Sequence, residues 1–97
     1  MRNFELLANV KAMSCQVCGK RPVDPCHIKS FGSGGPDSPE NIIPLCRKHH
    51  TEQHSKGWVT FVRRNQAIAW HLEQKGWKVV NEFDGRQKLS HPEMGNA

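Results

Sequence analysis

At 97 residues the chain has room for one domain, and at 36% hydrophobic residues its core is thin enough to call for a staple of metal, disulfide or partner. Fourteen Lys and Arg against nine Asp and Glu leave a net charge of +5, which points either to a polyanion such as nucleic acid or to a basic surface with no dedicated partner. No apolar run approaches the roughly 20 residues of a membrane span, and the start of the chain lacks the apolar core and small-residue cleavage site of a secretory leader. The expected compartment is therefore the cytoplasm, of a bacterial host if the chain is phage or prophage encoded, where thiols stay reduced and four Cys argue for metal ligation over a two-disulfide framework.

Three regions follow one another without an internal repeat. Residues 1–12 predict a short helix, with Phe4, Leu7 and Val10 at helical spacing and Asn3 as its N-cap. Residues 13–56 hold all four Cys and four of the six His, together with the loop Gly32-Ser33-Gly34-Gly35-Pro36, which excludes regular structure. Residues 46–55 predict a second helix, entered after Pro44 and ended by Gly57. In residues 57–97 the apolar residues Trp58, Phe61, Val62, Ile68, Ala69 and Leu72 predict a helix over 58–75, open to interruption near Asn65, with Gly76 as its C-cap. Residues 77–83 read as a strand, Asp84-Gly85 as a two-residue hairpin turn, and Arg86 to Ser90 as the returning strand. Trp58, Trp70 and Trp77 are expected in the core, and His71 and His91 on the surface.

The chemistry is concentrated in the middle region. Cys15-x-x-Cys18 and Cys46-x-x-His49 are two metal knuckles whose three thiolates and one imidazole make a closed tetrahedral shell, the pattern of a structural Zn²⁺. Gly19 after the second Cys frees the backbone of the first knuckle. Such a site has no open position, so its expected contribution is stability. His50 and His54, four apart on the second helix, fall on one face and can share one ion, or else form a polar solvated face. His49 then points to the zinc and His50 to a second site.

Cys15-x2-Cys18, His27, the Gly-rich loop, Asn41-Ile-Ile-Pro-Leu-Cys46-x2-His49-His50 and His54, in this order, resemble the His-Asn-His (HNH) endonucleases. The likeness is greatest to small phage and prophage members in which a zinc ribbon encloses the nuclease motif, and it covers residues 13–56. It implies an α+β chain with a zinc-stabilised ββα-metal fold, a single domain 1–97 in which 13–56 is the zinc-ribbon nuclease core and 57–97 an extension. It also implies His27 as general base, a task an imidazole suits at neutral pH. Asn41 would fix the hairpin or orient that base. His50 and His54 would hold the catalytic ion, which acts as a Lewis acid on the phosphate and the leaving oxygen.

One position departs from the family pattern. The residue before the base His is usually an Asp or His metal ligand, and here it is Cys26. Three outcomes stay open: Cys26 as a bystander with Asp24 assisting the two His, as a third ligand favouring a transition metal over Mg²⁺, or as a zinc-knuckle member displacing His49. Strand alternation favours the first, since Cys26 and His27 should face opposite sides. Lys29, Arg47, Lys48 and Lys56, flanked by Lys20 and Arg21 and extended by Arg63 and Arg64, are candidate phosphate contacts, and no aromatic residue interleaves with them to stack on bases. The expected activity is a metal-dependent, weakly sequence-specific DNA endonuclease or nickase, using Mn²⁺, Ni²⁺, Mg²⁺ or Zn²⁺. The alternatives are a zinc-ribbon nucleic-acid-binding module with an unused site and an accessory of phage packaging or recombination that cuts only with a larger partner.

Overall fold

The computed structural model describes residues 2–97. Its chain order is helix α1 (Phe4–Lys11), strand β1 (Val23–His27), a short 3₁₀ turn (Phe31–Ser33), strand β2 (Ile42–Cys46), helices α2 (Arg47–Lys56), α3 (Trp58–Arg64) and α4 (Ala67–Gln74), and strands β3 (Lys78–Asn81), β4 (Gln87–His91) and β5 (Gly95–Asn96). The chain is thus a small α+β protein with two antiparallel sheets, β1-β2 and β3-β4-β5.

The β1–β2 ribbon is the centre of the first half. Its register sets Pro25 opposite Pro44, an arrangement that fits because neither has an N–H and the pair lies at a non-hydrogen-bonded position of the ladder. The Pro44 carbonyl there points outward and accepts from the Gln16 N–H at 3.0 Å, which ties the first Cys knuckle to the ribbon's edge. Every residue of β2 is buried, because the ribbon packs against both α1 and α2. Asn3 caps α1 as expected, its Oδ1 accepting the Leu6 N–H at 3.1 Å. Of the predicted apolar series only Val10 is buried, and Phe4 is exposed.

The loop from Ser30 to Glu40 is held by Asn41, which is fully buried. Its Oδ1 accepts the Lys29 N–H, and its Nδ2 donates to the carbonyls of Lys29 and Pro36. Gly35 is needed at this crossing, where a Cβ would lie 1.9 Å from the Lys29 carbonyl oxygen.

The second half corrects several expectations. The apolar stripe over 58–75 is interrupted at Asn65, where the sequence left room for a break, and is carried by two helices. The Asn65 side chain donates to the Phe61 carbonyl and to Glu52 Oε1, while the backbone leaves helical geometry at that residue. The bend turns Ile68 and Leu72 into the core beside Phe61, and Trp58 and Trp77 are buried with them. Trp70 falls on the outer side of α4, 61% exposed, with its ring edge-on to His71. His91, expected at the surface, is buried: its Nε2 donates to the Lys75 carbonyl and its Nδ1 accepts the Glu93 N–H.

Asp84-Gly85 does not form a two-residue turn. Gly85 N–H donates to the Glu82 carbonyl and Glu82 N–H to the Arg86 carbonyl, so the reversal is a turn centred on Phe83 and Asp84 closed by Gly85 at φ +84. That is a three-residue loop with a glycine bulge, and it leaves Phe83 fully exposed at its tip.

Candidate active site and metal centre

Cys15, Cys18, Cys46 and His49 come together as the spacing predicts. One ligand atom from each lies within 4.8 Å of all the others, and this is the one such group of three or more among the described residues. A tetrahedral Zn²⁺ with bonds of about 2.3 Å to sulfur and about 2.1 Å to nitrogen requires sulfurs about 3.8 Å apart and sulfur and nitrogen about 3.6 Å apart. Cys18 Sγ and Cys46 Sγ are 3.8 Å apart, and His49 Nδ1 stands 3.2 Å from Cys46 Sγ and 3.7 Å from Cys15 Sγ. All four Cys are free thiols. The donor set and its dimensions therefore fit a structural ion such as Zn²⁺.

The backbone prepares the thiolate. Burial raises the Cys15 pKa, but the backbone N–H groups of Cys46, Cys18 and Val17 outweigh it and bring the thiol down to about 6.

His50 and His54 lie one turn apart on α2, with their Nε2 atoms 3.0 Å from each other. Two nitrogens bound at right angles to one ion with bonds of about 2.1 Å would stand about 3.0 Å apart. Behind them, Asp24 Oδ2 is 3.1 Å from His50 Nδ1. A carboxylate there accepts the Nδ1–H, which leaves the His50 Nε2 lone pair turned toward His54, the usual carboxylate–imidazole backing of a metal ligand. Arg47 pairs with the same carboxylate at 3.4 Å. Asp24, His50 and His54 thus form a chain in which the His50 ring separates the other two.

Cys26 stands apart from both sets. It is 1% exposed, and its Sγ donates weakly to Gln53 Oε1 on α2 and to the His27 carbonyl. Burial, assisted by the Asp24 charge, pushes its thiol up to about 12. The zinc cluster is complete without it, which rules out the reading in which it displaces His49. Its Sγ is engaged with Gln53 Oε1 at 3.7 Å.

His27 ends β1 and points to the other side of the ribbon from Asp24 and Cys26; Asn41 fixes the loop beside it but makes no hydrogen bond to its ring, which meets Asp37. Its Nε2 is 2.7 Å from Asp37 Oδ1. The Asp37 side chain is completely enclosed: Oδ2 accepts the Asn3 N–H at 2.8 Å and pairs with Arg2 Nε at 3.2 Å. The His27 hydrogen bond, the Asn3 N–H and the Arg2 charge hold this carboxyl below its usual value against the opposing effect of burial. Asp37 is the one charged residue between Lys29 and Glu40. That isolation in a Gly-, Ser- and Pro-rich loop was the available signal for it, and a weak one. Gln53, the partner of Cys26, carried none.

Among the basic residues, Lys29 extends its ammonium to the Met94 carbonyl at 2.8 Å and Arg47 lies over Asp24, while Lys48 and Lys56 are exposed on α2.

A small α+β fold with a Cys₃His cluster is consistent with the HNH nuclease class. The chain belongs to that family: residues 3–88 match the family model described as "Putative HNHc nuclease". It is also similar to "Uncharacterized protein YdfU" of Escherichia coli (strain K12), with 41% identity over 49 residues, or 47% of this chain. The match spans 14% of that relative's length. No solved structure matches the chain.

Proposed function

We propose that the chain is a metal-dependent DNA endonuclease or nickase of weak sequence specificity. The observation that carries the reading is the His50–His54 pair, two imidazole nitrogens at the spacing of a shared ion with Asp24 fixing the tautomer of the first. A divalent ion held there supplies Lewis-acid stabilisation to the scissile phosphate and the leaving oxygen.

The chain supplies the rest. The resemblance to the HNH endonucleases assigns His27 the proton of the attacking water, from the side of the ribbon opposite the Asp24–His50 pair. Asn41 fixes the loop that begins just after His27 and so sets where the imidazole stands. Arg47, Lys48 and Lys56 on α2 approach the phosphate backbone, with Lys20 and Arg21 beside the zinc knuckle, and Lys29 adds charge from a fixed position. Contacts of this kind go to phosphate and sugar and carry little sequence information. The Cys₃His cluster stabilises the fold and leaves no open position for chemistry.

The test is incubation of the zinc-loaded protein with supercoiled plasmid and each of several ions. Conversion to nicked or linear DNA is expected with Mn²⁺ or Ni²⁺, less with Mg²⁺, and inhibition by excess Zn²⁺. Imidazole ligands favour the later transition metals in binding, while an ion held too tightly at the site slows turnover. Plasmid left supercoiled in every metal refutes the reading.

A further inference from the structure

We propose that Asp37 is the positioning residue of His27, taking the protonated Nε2 so that Nδ1 is the nitrogen offered to the attacking water of the phosphodiester substrate. The proposal rests on the nuclease reading and specifies which atom of the base moves the proton.

An ionised carboxylate only accepts hydrogen bonds. At 2.7 Å from Asp37 Oδ1, the Nε2 of His27 must therefore carry the proton, and the neutral ring keeps its lone pair on Nδ1. The carboxylate has no freedom to turn away. Its second oxygen is held by the Asn3 N–H and by Arg2, and the side chain is completely enclosed. The ring is fixed laterally as well, edge-on to Phe31 at 6.0 Å, with the Arg2 guanidinium 4.2 Å over the other aromatic face of that pair. Its side chain remains 16% exposed, enough to meet water.

The proton balance closes on these atoms. Water gives one proton to Nδ1, its oxygen forms the new bond to phosphorus, and the electron pair of the bond that breaks leaves with the 3′ oxygen, which is protonated from solvent. The imidazolium formed beside Asp37 turns a hydrogen bond from a neutral ring to the carboxylate into an ion pair. The carboxylate thereby stabilises the charge that develops in the transition state more than the ground state.

The tests are the ¹⁵N NMR shifts of His27 and steady-state plasmid cleavage in Mn²⁺, on zinc-loaded wild type and Asp37→Asn. Wild type should show a protonated Nε2 and a free Nδ1. Asp37→Asn should lose that fixed tautomer and lower kcat by about 10² to 10⁴, with KM and zinc content retained. A structural role alone would alter the melt and leave kcat of the folded fraction unchanged, and that result overturns the proposal, as does a wild-type Nδ1–H. If Asp37→Asn does not fold, the wild-type tautomer alone decides. A wild type inactive in every metal sinks the nuclease reading and this proposal together, whereas an active wild type matched by an equally active Asp37→Asn sinks this proposal alone.

Discussion

Burial pushes the Cys26 thiol up to about 12, so it is held protonated at neutral pH. Alkylation needs the thiolate, so iodoacetamide at pH 8 should leave Cys26 unmodified in the folded chain and label it only after denaturation, as read by peptide mass spectrometry. Cys26→Ala should keep cleavage in every metal and cost about 1 kcal/mol for the small void it leaves; loss of activity would restore Cys26 as a ligand. The stability sign follows from the same shift. The unfolded thiol ionises near 9.0 and the folded one near 12, so its contribution is complete below 9 and is lost as pH rises toward 12.

Asp24 makes the opposite case, a charged group whose role lies behind a ligand. Asp24→Asn replaces the acceptor-only carboxylate that fixes the His50 tautomer by an amide that can also donate. It should weaken binding of the second ion by about 10- to 100-fold, measured by calorimetry with Mn²⁺ on zinc-loaded protein. His50→Ala should abolish that binding and cleavage with it. Unchanged Mn²⁺ affinity in both variants would mean that the ion sits elsewhere.

Helix α2 is the element on which both sets converge. It presents His49 to the Cys cluster and His50 to His54 from successive residues. Cys18→Ser should lose zinc and the cooperative melt together, because a structural Zn²⁺ site contributes on the order of 10 kcal/mol of apparent binding free energy. A zinc-free chain that melts like the wild type would contradict this. The elements of the first half were legible because their signals are local: knuckle spacing, Pro44 before the helix and Gly57 after it. Elsewhere the decisive forces act across the chain. Trp70 stands two residues from both Ile68 and Leu72, so when those two face the core its ring is turned to solvent. His91 is buried because Gly76 leaves room for its ring, where a Cβ would stand 2.6 Å from Nε2. Asp37 reaches His27 through a loop whose path Asn41 sets, and no periodicity describes that path.

At the scale of the whole molecule, a net charge of +5 is spread over a body of 39 × 30 × 23 Å. Duplex binding without a divalent ion should fall with salt at a log–log slope of about −0.9 for each phosphate neutralised. Replacing Lys48 or Lys56 by Ala should flatten that slope by about 1. Fluorescence anisotropy across a salt series reads this directly, and a slope unmoved by either variant would take α2 out of the DNA footprint.

The adjacency of His49 and His50 has a consequence for control. An α2 that has lost the zinc cluster has lost the scaffold that aims its neighbouring imidazole, so the chain behaves as a gate with two inputs. Supplying the catalytic ion to an apo chain should open nothing, and withdrawing zinc from a cell should silence cutting even where manganese is plentiful. Under the nuclease reading, cutting would then be disarmed by scarcity of an ion that takes no part in the chemistry.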